Sequence, residues 1–469
     1  MFLKLAEQQY ADLSILPQVD EALARWKIAP AYEYWLTRMR STDRPWPAQR
    51  SAMIALGIAG VKAAADDLRR KVEDNARPDH ERIIAAQALA RIDTTGLVLV
   101  SQTLAGRGTI INRLLASELL QHHTQADALT FLQKLAMDDE PAVAQLAVDR
   151  LLALAPANIP HDLASRLLQR DDAALRLTAV KALLAQATSQ SIALASPSLK
   201  DVNYTVRRTA REGLGRLGLE GGLHEPVVSG VRGVLHQSDW QGLEQAAYLV
   251  GALDDEASSD RVVELLRHAR PEVRLAACVA LRRLQMTDTL PIALKRLEEL
   301  HEHYKNTGME TYGDLGEFST QFATGAECTQ LYQLLGRMKY APAQPIMRRV
   351  VPKGSFEVQS RAAAIWALGF LHEGQADGQL AGQLSGRLSD VMSLEPEDTN
   401  VRMMSAVTLG RMKAQSALSV LNRFMQEEIS SREIGGSCRW AIMQITGEEL
   451  PPLPPSIERN LDWFLAPIE

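Results

Sequence analysis

The sequence predicts an all-α fold, an α-solenoid in which about twelve helical hairpins form a superhelical array. Three observations predict it. An arginine register returns at Arg82, Arg113, Arg176 and Arg207, with Ala144 holding the place between the second and third, in steps of 31 or 32 residues. Each step carries two short stretches whose apolar residues fall three or four apart, the period of one helix face. Ala and Leu, strong helix formers, are abundant, while aromatic residues make up only 5% of the chain. Units of this kind cannot bury their apolar faces alone and do so by stacking on their neighbours.

The elements follow in chain order. Residues 1–47 read as an N-terminal helical cap. Met1 to Leu16 is amphipathic and contains Lys4, Glu7 and Asp12, too polar for the apolar core of a secretory leader. Trp26, Tyr32, Tyr34, Trp35 and Trp46 cluster before the first copy, as expected of a terminal unit that covers an otherwise exposed apolar end. The array proper spans 48–300, opening with Gln49 ahead of Ala55-Leu56-Gly57. Its best-formed hairpin has a first helix near Leu163–Gln169 and a second over Ala174–Leu184, where Ala179 and Ala182 permit close helix approach. Pro141 and Pro271 are expected to start second helices, because the first helical turn needs no N–H. The register continues through a weak copy at Glu244, then Arg274, Cys328, Arg361, Arg402 and Gly435.

Two intervals break the rhythm. Between Arg274 and Cys328 there is room for a long helix over Leu290–Lys305 and an insertion through Thr324. We therefore assign 301–325 to a helix end and insertion, and 326–446 to the continued array. The insertion holds Gly308, Gly313 and Gly316, which argue against a long regular helix there, together with Tyr312, Phe318 and Phe322. A smaller excess surrounds Ser393–Asp398. The Pro-rich stretch from Pro451 to Pro455 ends the last helix and opens a C-terminal tail over 447–469, whose Trp463-Phe464-Leu465 is expected to fold back on the final hairpin.

Composition excludes several functions. The formal charge is −6, which disfavours a general nucleic-acid binder. The cysteines Cys278, Cys328 and Cys438 are too scattered for a disulfide framework or a metal knuckle, which fits a reducing compartment. No run of eighteen apolar residues is present, so no membrane span is expected, and a cytoplasmic location follows. Gly213-Leu214-Gly215-Arg216-Leu217-Gly218 spells a dinucleotide fingerprint but follows a helix rather than a strand, so it is assigned to a helix end.

Taken together, Asp201, Val206 and Arg207, with Ala-Leu-Gly endings such as Ala367-Leu368-Gly369, resemble HEAT repeats, specifically the short type of phycobilin-lyase-like proteins. The resemblance covers about residues 48–446. It implies that the second helices line the concave side, and that Asp and Arg tie each inter-helix turn to the next unit. Arg82, Arg113, Arg176, Arg207, Arg274, Arg361 and Arg402 are then structural positions, although most copies keep the arginine and lose the aspartate of Asp201.

The same resemblance raises two enzymatic alternatives. The pairs His80-Glu81, His224-Glu225, His301-Glu302 and His372-Glu373 are similar to the metal ligands of deoxyhypusine hydroxylase, a HEAT-repeat iron enzyme. A shared metal site needs one register in every contributing unit, and these four pairs occupy four different ones. His301 and His303 fall on different sides of a helix and read as a solvated helix end. Chromophore-lyase activity follows from resemblance alone. The arginine series could read as the phosphate track of a nucleic-acid-binding solenoid, but the clusters Arg207-Arg208-Arg211 and Arg282-Arg283 are local and acidic stretches such as Glu298-Glu299-Glu302 dilute them. No catalytic, cofactor-binding or metal-ligating residue is therefore expected. The function expected is a non-enzymatic scaffold for a protein partner, with Tyr304, Tyr312, Phe318 and Phe322 as candidate contacts, since aromatics rimmed by charge are common interface anchors.

Overall fold

The computed structural model describes residues 15–220, 222–307, 315–427 and 432–451. Among these residues are twenty-five α-helices and no strand. The chain divides into two units, Met1–Ala246 and Ala247–Glu469. In the first lie α1 Leu16–Arg25, α2 Ala31–Arg40, α3 Trp46–Ala59, α4 Ala65–Glu73, α5 Asp79–Ile92, α6 Val98–Gly106, α7 Ile110–Leu119, α8 Ala126–Leu135, α9 Pro141–Leu154, α10 His161–Leu167, α11 Ala173–Gln186, α12 Ser189–Ala195, α13 Tyr204–Glu220 and α14 His224–Leu235. The division falls within α15, Trp240–Ala252. The second unit continues with α16 Ser259–Leu265, α17 Pro271–Leu284, α18 Leu290–Thr307, α19 Leu315–Arg337, α20 Gln344–Arg349, α21 Val358–Leu371, α22 Gly378–Ser389, α23 Thr399–Arg411, α24 Leu418–Glu427 and α25 Arg432–Thr446. From α2 onward the helices fall into pairs in chain order, a first and a second helix in each, which makes an all-α solenoid.

Local chemistry sets the helix ends. Pro141 and Pro271 occupy the first turns of α9 and α17. Asp172 accepts from the backbone N–H groups of Ala174 and Leu175 and starts α11, and Thr188 and Ser191 form a reciprocal capping box on α12. Gly60 ends α3 in the left-handed region at φ 70°, and the Val61 N–H returns to the Leu56 carbonyl. The same closure recurs three residues after Gly336 and Gly410, but there Lys339 and Lys413 carry the positive φ.

The glycines at this place in the second helices show why the motif belongs to the stack. A Cβ on Gly57 would stand 2.8 Å from the Ala88 Cα of the next second helix, one on Gly251 2.8 Å from Ala280, and one on Gly410 2.6 Å from Ala441. Consecutive second helices touch backbone to backbone at these points. The core fills in around them with fully buried Leu56, Leu89, Leu183, Leu281, Leu335, Leu368 and Leu409.

The N-terminal cap is organised by a buried carboxylate. Asp20 accepts from Trp35 Nε1 at 2.8 Å, Arg38 Nη1 at 2.6 Å and Ser51 Oγ at 2.6 Å, joining α1, α2 and α3. Trp35 is fully buried and Trp46 packs on the His80 ring, whereas Trp26 is 61% exposed. The amphipathic segment Met1–Leu16 lies outside the described residues apart from its last two, and so does Trp463-Phe464-Leu465.

One boundary needs correction. The expected insertion through Thr324 is helical from Leu315 onward, as the start of α19. The glycine penalty in a helix is about 1 kcal/mol per residue. That cost is outweighed further along α19, where Cys328, Leu331, Tyr332, Leu334 and Leu335 are fully buried.

Candidate functional site

The arginine series is the most regular polar feature of the molecule, and its guanidinium groups are occupied. Arg176 donates to both carboxylate oxygens of Asp201 at 2.7 and 2.9 Å and to the carbonyls of Arg170 and Asp171. Arg207 donates to the Asp201 carbonyl at 2.7 Å, so two successive arginines converge on one turn. The Asp201 hydrogen bond, foremost, holds the Arg176 pKa above its ordinary value. Arg113 pairs with Asp138 at 2.8 Å, and Arg82 reaches the Val72 carbonyl and the Asn112 side chain.

In the second unit Arg274 donates to the carbonyls of His268 and Ala269 and to Glu327, which is fully buried and also accepts from Arg296 at 2.9 Å. Arg361 forms a two-pronged pair with Glu397 at 2.8 and 2.9 Å, both side chains 2% exposed. Burial alone would raise the Glu397 pKa, but the Arg361 hydrogen bond and charge more than offset it and hold it below the usual carboxylate range. Arg402 donates to the Leu388 carbonyl and lies over the Phe424 ring.

Sequence reasoning found Asp201 and missed Asn112, Asp138, Glu327 and Glu397. A signal existed for one of them, since Asp138 stands 25 residues after Arg113, the interval that separates Asp201 from Arg176. The other partners come from a helix interior or from a lengthened connection and keep no fixed offset.

The candidate contact residues separate. Tyr304 is half-buried, its ring centroid 4.0 Å from that of Phe356, so it belongs to the packing of α18 against the chain that precedes α21. Phe322 is 68% exposed. Tyr312 lies outside the described residues, and although the backbone of Phe318 belongs to α19 its side chain is outside them too.

His301 requires a correction. It is 5% exposed, not a solvated helix end: its ring stacks on Phe356 at 4.7 Å and its Nε2 is hydrogen-bonded to the Tyr332 hydroxyl. Burial, reinforced by the nearby Lys305 and Arg349, lowers its pKa to about 4. His303, two residues on, is exposed. His80 and His224 are exposed, and His372 Nε2, at the end of α21, accepts from the Gln344 side-chain amide at the start of α20. Among the described residues, no three His, Cys, Asp or Glu side chains are grouped as a metal would require. Cys278, Cys328 and Cys438 are buried, and burial pushes the thiols of the first two up. No helix among the described residues is long and apolar enough to cross a membrane.

One face of the second unit is different in kind. Four consecutive second helices, α17, α19, α21 and α23, frame a groove of about 410 Å³, lined by Arg282, Arg337, Gln333, Trp366, Asn400 and Met404 among others. Arg411 sits over Phe370 at 3.8 Å and over Trp366 at 5.1 Å. Trp440, on α25, occupies the same helix position as Trp366 and is 37% exposed against Gly410.

No family model and no curated protein sequence matches the chain. Solved structures do. Kap121p, described in its complex with Pho4p, is similar with a TM-score of 0.63 at 11% identity over 95% of this chain and 53% of its own. Kap95p, described with RanGDP, gives 0.60 at 11% identity, and importin beta 0.55 at 13%, each with 95% of this chain and 68% of the other covered. The chain thus spans about half the length of Kap121p. At such identities the likeness speaks for architecture, and with the paired helices and their repeating arginine ties it identifies the fold as a HEAT-type α-solenoid.

Proposed function

We propose that this chain is a non-enzymatic scaffold that binds a protein partner on the face formed by its second helices. The observation that carries the reading is the contrast between the two kinds of polar residue. The buried arginines are consumed in tying units together, while the second-helix face of the second unit keeps Trp366, Trp440 and several arginines accessible. Aromatic and arginine side chains together are the usual anchors of protein interfaces. Phe322, exposed near the start of α19, is a further contact in this reading, and Tyr312 and Phe318 join it from the same stretch of sequence.

Other observations support it. The three cysteines are buried, and His301 is packed between Phe356 and Tyr332. Kap121p is described bound to Pho4p and to the extreme C-terminus of the protein phosphatase Cdc14p, which is an analogy of fold. The repeats themselves we assign to the short phycobilin-lyase-like type, on the Asp201, Val206 and Arg207 pattern.

Affinity capture with the intact chain as bait, followed by cross-linking, tests the proposal. A reproducible protein partner cross-linked to α17, α19, α21, α23 or α25 is expected, with weaker capture by Phe322→Ser or Trp440→Ser. Absence of any partner, or cross-links confined to the first helices of the pairs, would contradict it.

A further inference from the structure

Resting on that scaffold reading, we infer that the groove framed by α17, α19, α21 and α23 takes an extended acidic segment of a partner protein. Three features of the groove point to this occupant. The first is charge. Its lining includes Arg282 and Arg337 and no carboxylate. Arg337 is exposed and makes no hydrogen bond or ion pair with another described residue, and the same holds for the adjacent Arg283. Arg282 has only a neutral partner, Gln330 Oε1 at 2.6 Å. Burial, and then the charges of Arg283 and Arg337, lower the Arg282 pKa, as expected of cations crowded without a counter-ion. The nearby Glu373 is held by Lys339 at 2.6 Å. This local excess of positive charge stands on a chain of net charge −6, so composition does not account for it.

The second feature is a set of unused amides. Gln333, Gln359 and Asn400 line the groove on three successive second helices, and their side chains make no hydrogen bond to another described residue. Each offers one acceptor and two donors. An extended peptide presents an N–H and a carbonyl at every residue and matches such a row, whereas a helix has already used its own. Gln359 and Asn400 each stand two residues before a tie arginine, Arg361 and Arg402, so the array itself repeats the amide along the groove.

The third feature is an apolar floor. Ala362, Ala363, Met404 and the half-buried Trp366 provide it, with Arg411 held against the Trp366 ring. Four helices at roughly 8–10 Å spacing are spanned by about eight extended residues at ~3.3 Å each. Arginine in the last turn of a helix also complements the helix dipole. That effect accounts for a single charge per helix and not for its coincidence with open amides and a half-buried indole. A nucleic-acid strand is the weaker fit, since phosphate tracking draws on many cations and this face carries four arginines.

The test uses the full chain and defined probes in fluorescence anisotropy. The main probe is a labelled peptide of about ten residues, glutamate and serine around a central leucine. It is compared with its Gln-for-Glu and Lys-for-Glu counterparts and with an oligouridylate of similar length. We expect the glutamate peptide to bind at least about tenfold more tightly than the glutamine peptide, less so as salt rises. Arg282→Gln with Arg337→Gln should remove about tenfold of that affinity and leave the melting temperature in place, while Arg208→Gln on the first unit changes nothing. Arg337→Glu, at an exposed site without partners, should shift preference toward the lysine peptide. Equal binding of the glutamate and glutamine peptides, unchanged preference in Arg337→Glu, or tighter oligouridylate binding lost in the same variants would each overturn the inference. If capture yields a partner cross-linked elsewhere on the second helices while the glutamate peptide does not bind, this inference fails and the scaffold reading survives. If no partner is captured at all, the scaffold reading itself fails.

Discussion

In the first unit Arg113 and Arg176 each reach an aspartate 25 residues further on, whereas in the second Arg274 reaches Glu327 and Arg361 reaches Glu397, 53 and 36 residues on. The residue that makes the tie is the same, and its partner is not. Where the hairpins are uniform, at Arg113 and Arg176, the acid sits at the same place in the turn. Where connections lengthen, the acid is supplied by whichever element the guanidinium meets, and it is then buried more deeply: Asp138 and Asp201 keep 12% and 9% side-chain exposure, Glu397 and Glu327 2% and 0%. A buried pair is costly to break because one charge is left without compensation. Breaking such a tie is therefore expected to cost the second unit more than breaking one costs the first.

That contrast can be broken most sharply at Arg361. Arg361→Ala should destabilise the second unit by about 3–5 kcal/mol in urea unfolding, since Glu397 is left buried with only the longer 3.3 Å contact to Arg387 in place of its two-pronged partner. Arg176→Ala should cost the first unit about 1–3 kcal/mol, the range for a hydrogen bond to a charged group with more solvent nearby. Equal losses in the two units would remove the distinction.

Close packing gives a second comparison, between glycines that touch and a glycine that does not. Gly336→Ala would place a Cβ 2.5 Å from the Ala367 Cα and should cost about 1–3 kcal/mol through forced separation of α19 and α21. Gly382→Ala, inside α22 with nothing within 4 Å, should instead gain about 0.5–1 kcal/mol. At the helix ends, Lys413→Gly should gain up to about 1 kcal/mol, because Lys413 adopts the left-handed conformation that Gly60 supplies at the matching place. Differential scanning calorimetry resolves all three.

Acid should separate the units further. The folded pKa of Glu397 is depressed, so its contribution is present above the ordinary glutamate value of about 4.3 and is lost as pH falls below it. His301, lowered to about 4, also binds its proton more readily when unfolded, and its contribution declines as pH falls from about 6.5. His301→Phe should flatten the upper part of the stability–pH curve and Glu397→Gln the lower part. A curve of unchanged shape in both variants would contradict these assignments.

Much of this was legible because it is local. The arginine register, the prolines that start α9 and α17, and the Leu-Gly motif each follow from one helix and its immediate turn. The alternation of His301 and His303 correctly put them on different sides of α18. The burial of His301 was not legible, because it depends on Phe356, far along the chain. Glu327 was hidden for a similar reason: it adjoins Cys328 inside a helix, where no turn pattern marks it. Burial along α19 overrides the low helix propensity of the glycines in the expected insertion. The groove on the second-helix face was also out of reach of the sequence, because Arg282, Gln333, Trp366 and Asn400 come together only through stacking.

Arginines that hold the array together are distinct from arginines that face a partner. Urea unfolding of Arg361→Gln beside Arg337→Gln, in otherwise identical full-length chains, tests this division most directly. We predict a loss of about 3–5 kcal/mol for Arg361→Gln and a change within about 0.5 kcal/mol for Arg337→Gln. Comparable losses in the two variants, or the larger loss in Arg337→Gln, would contradict the division.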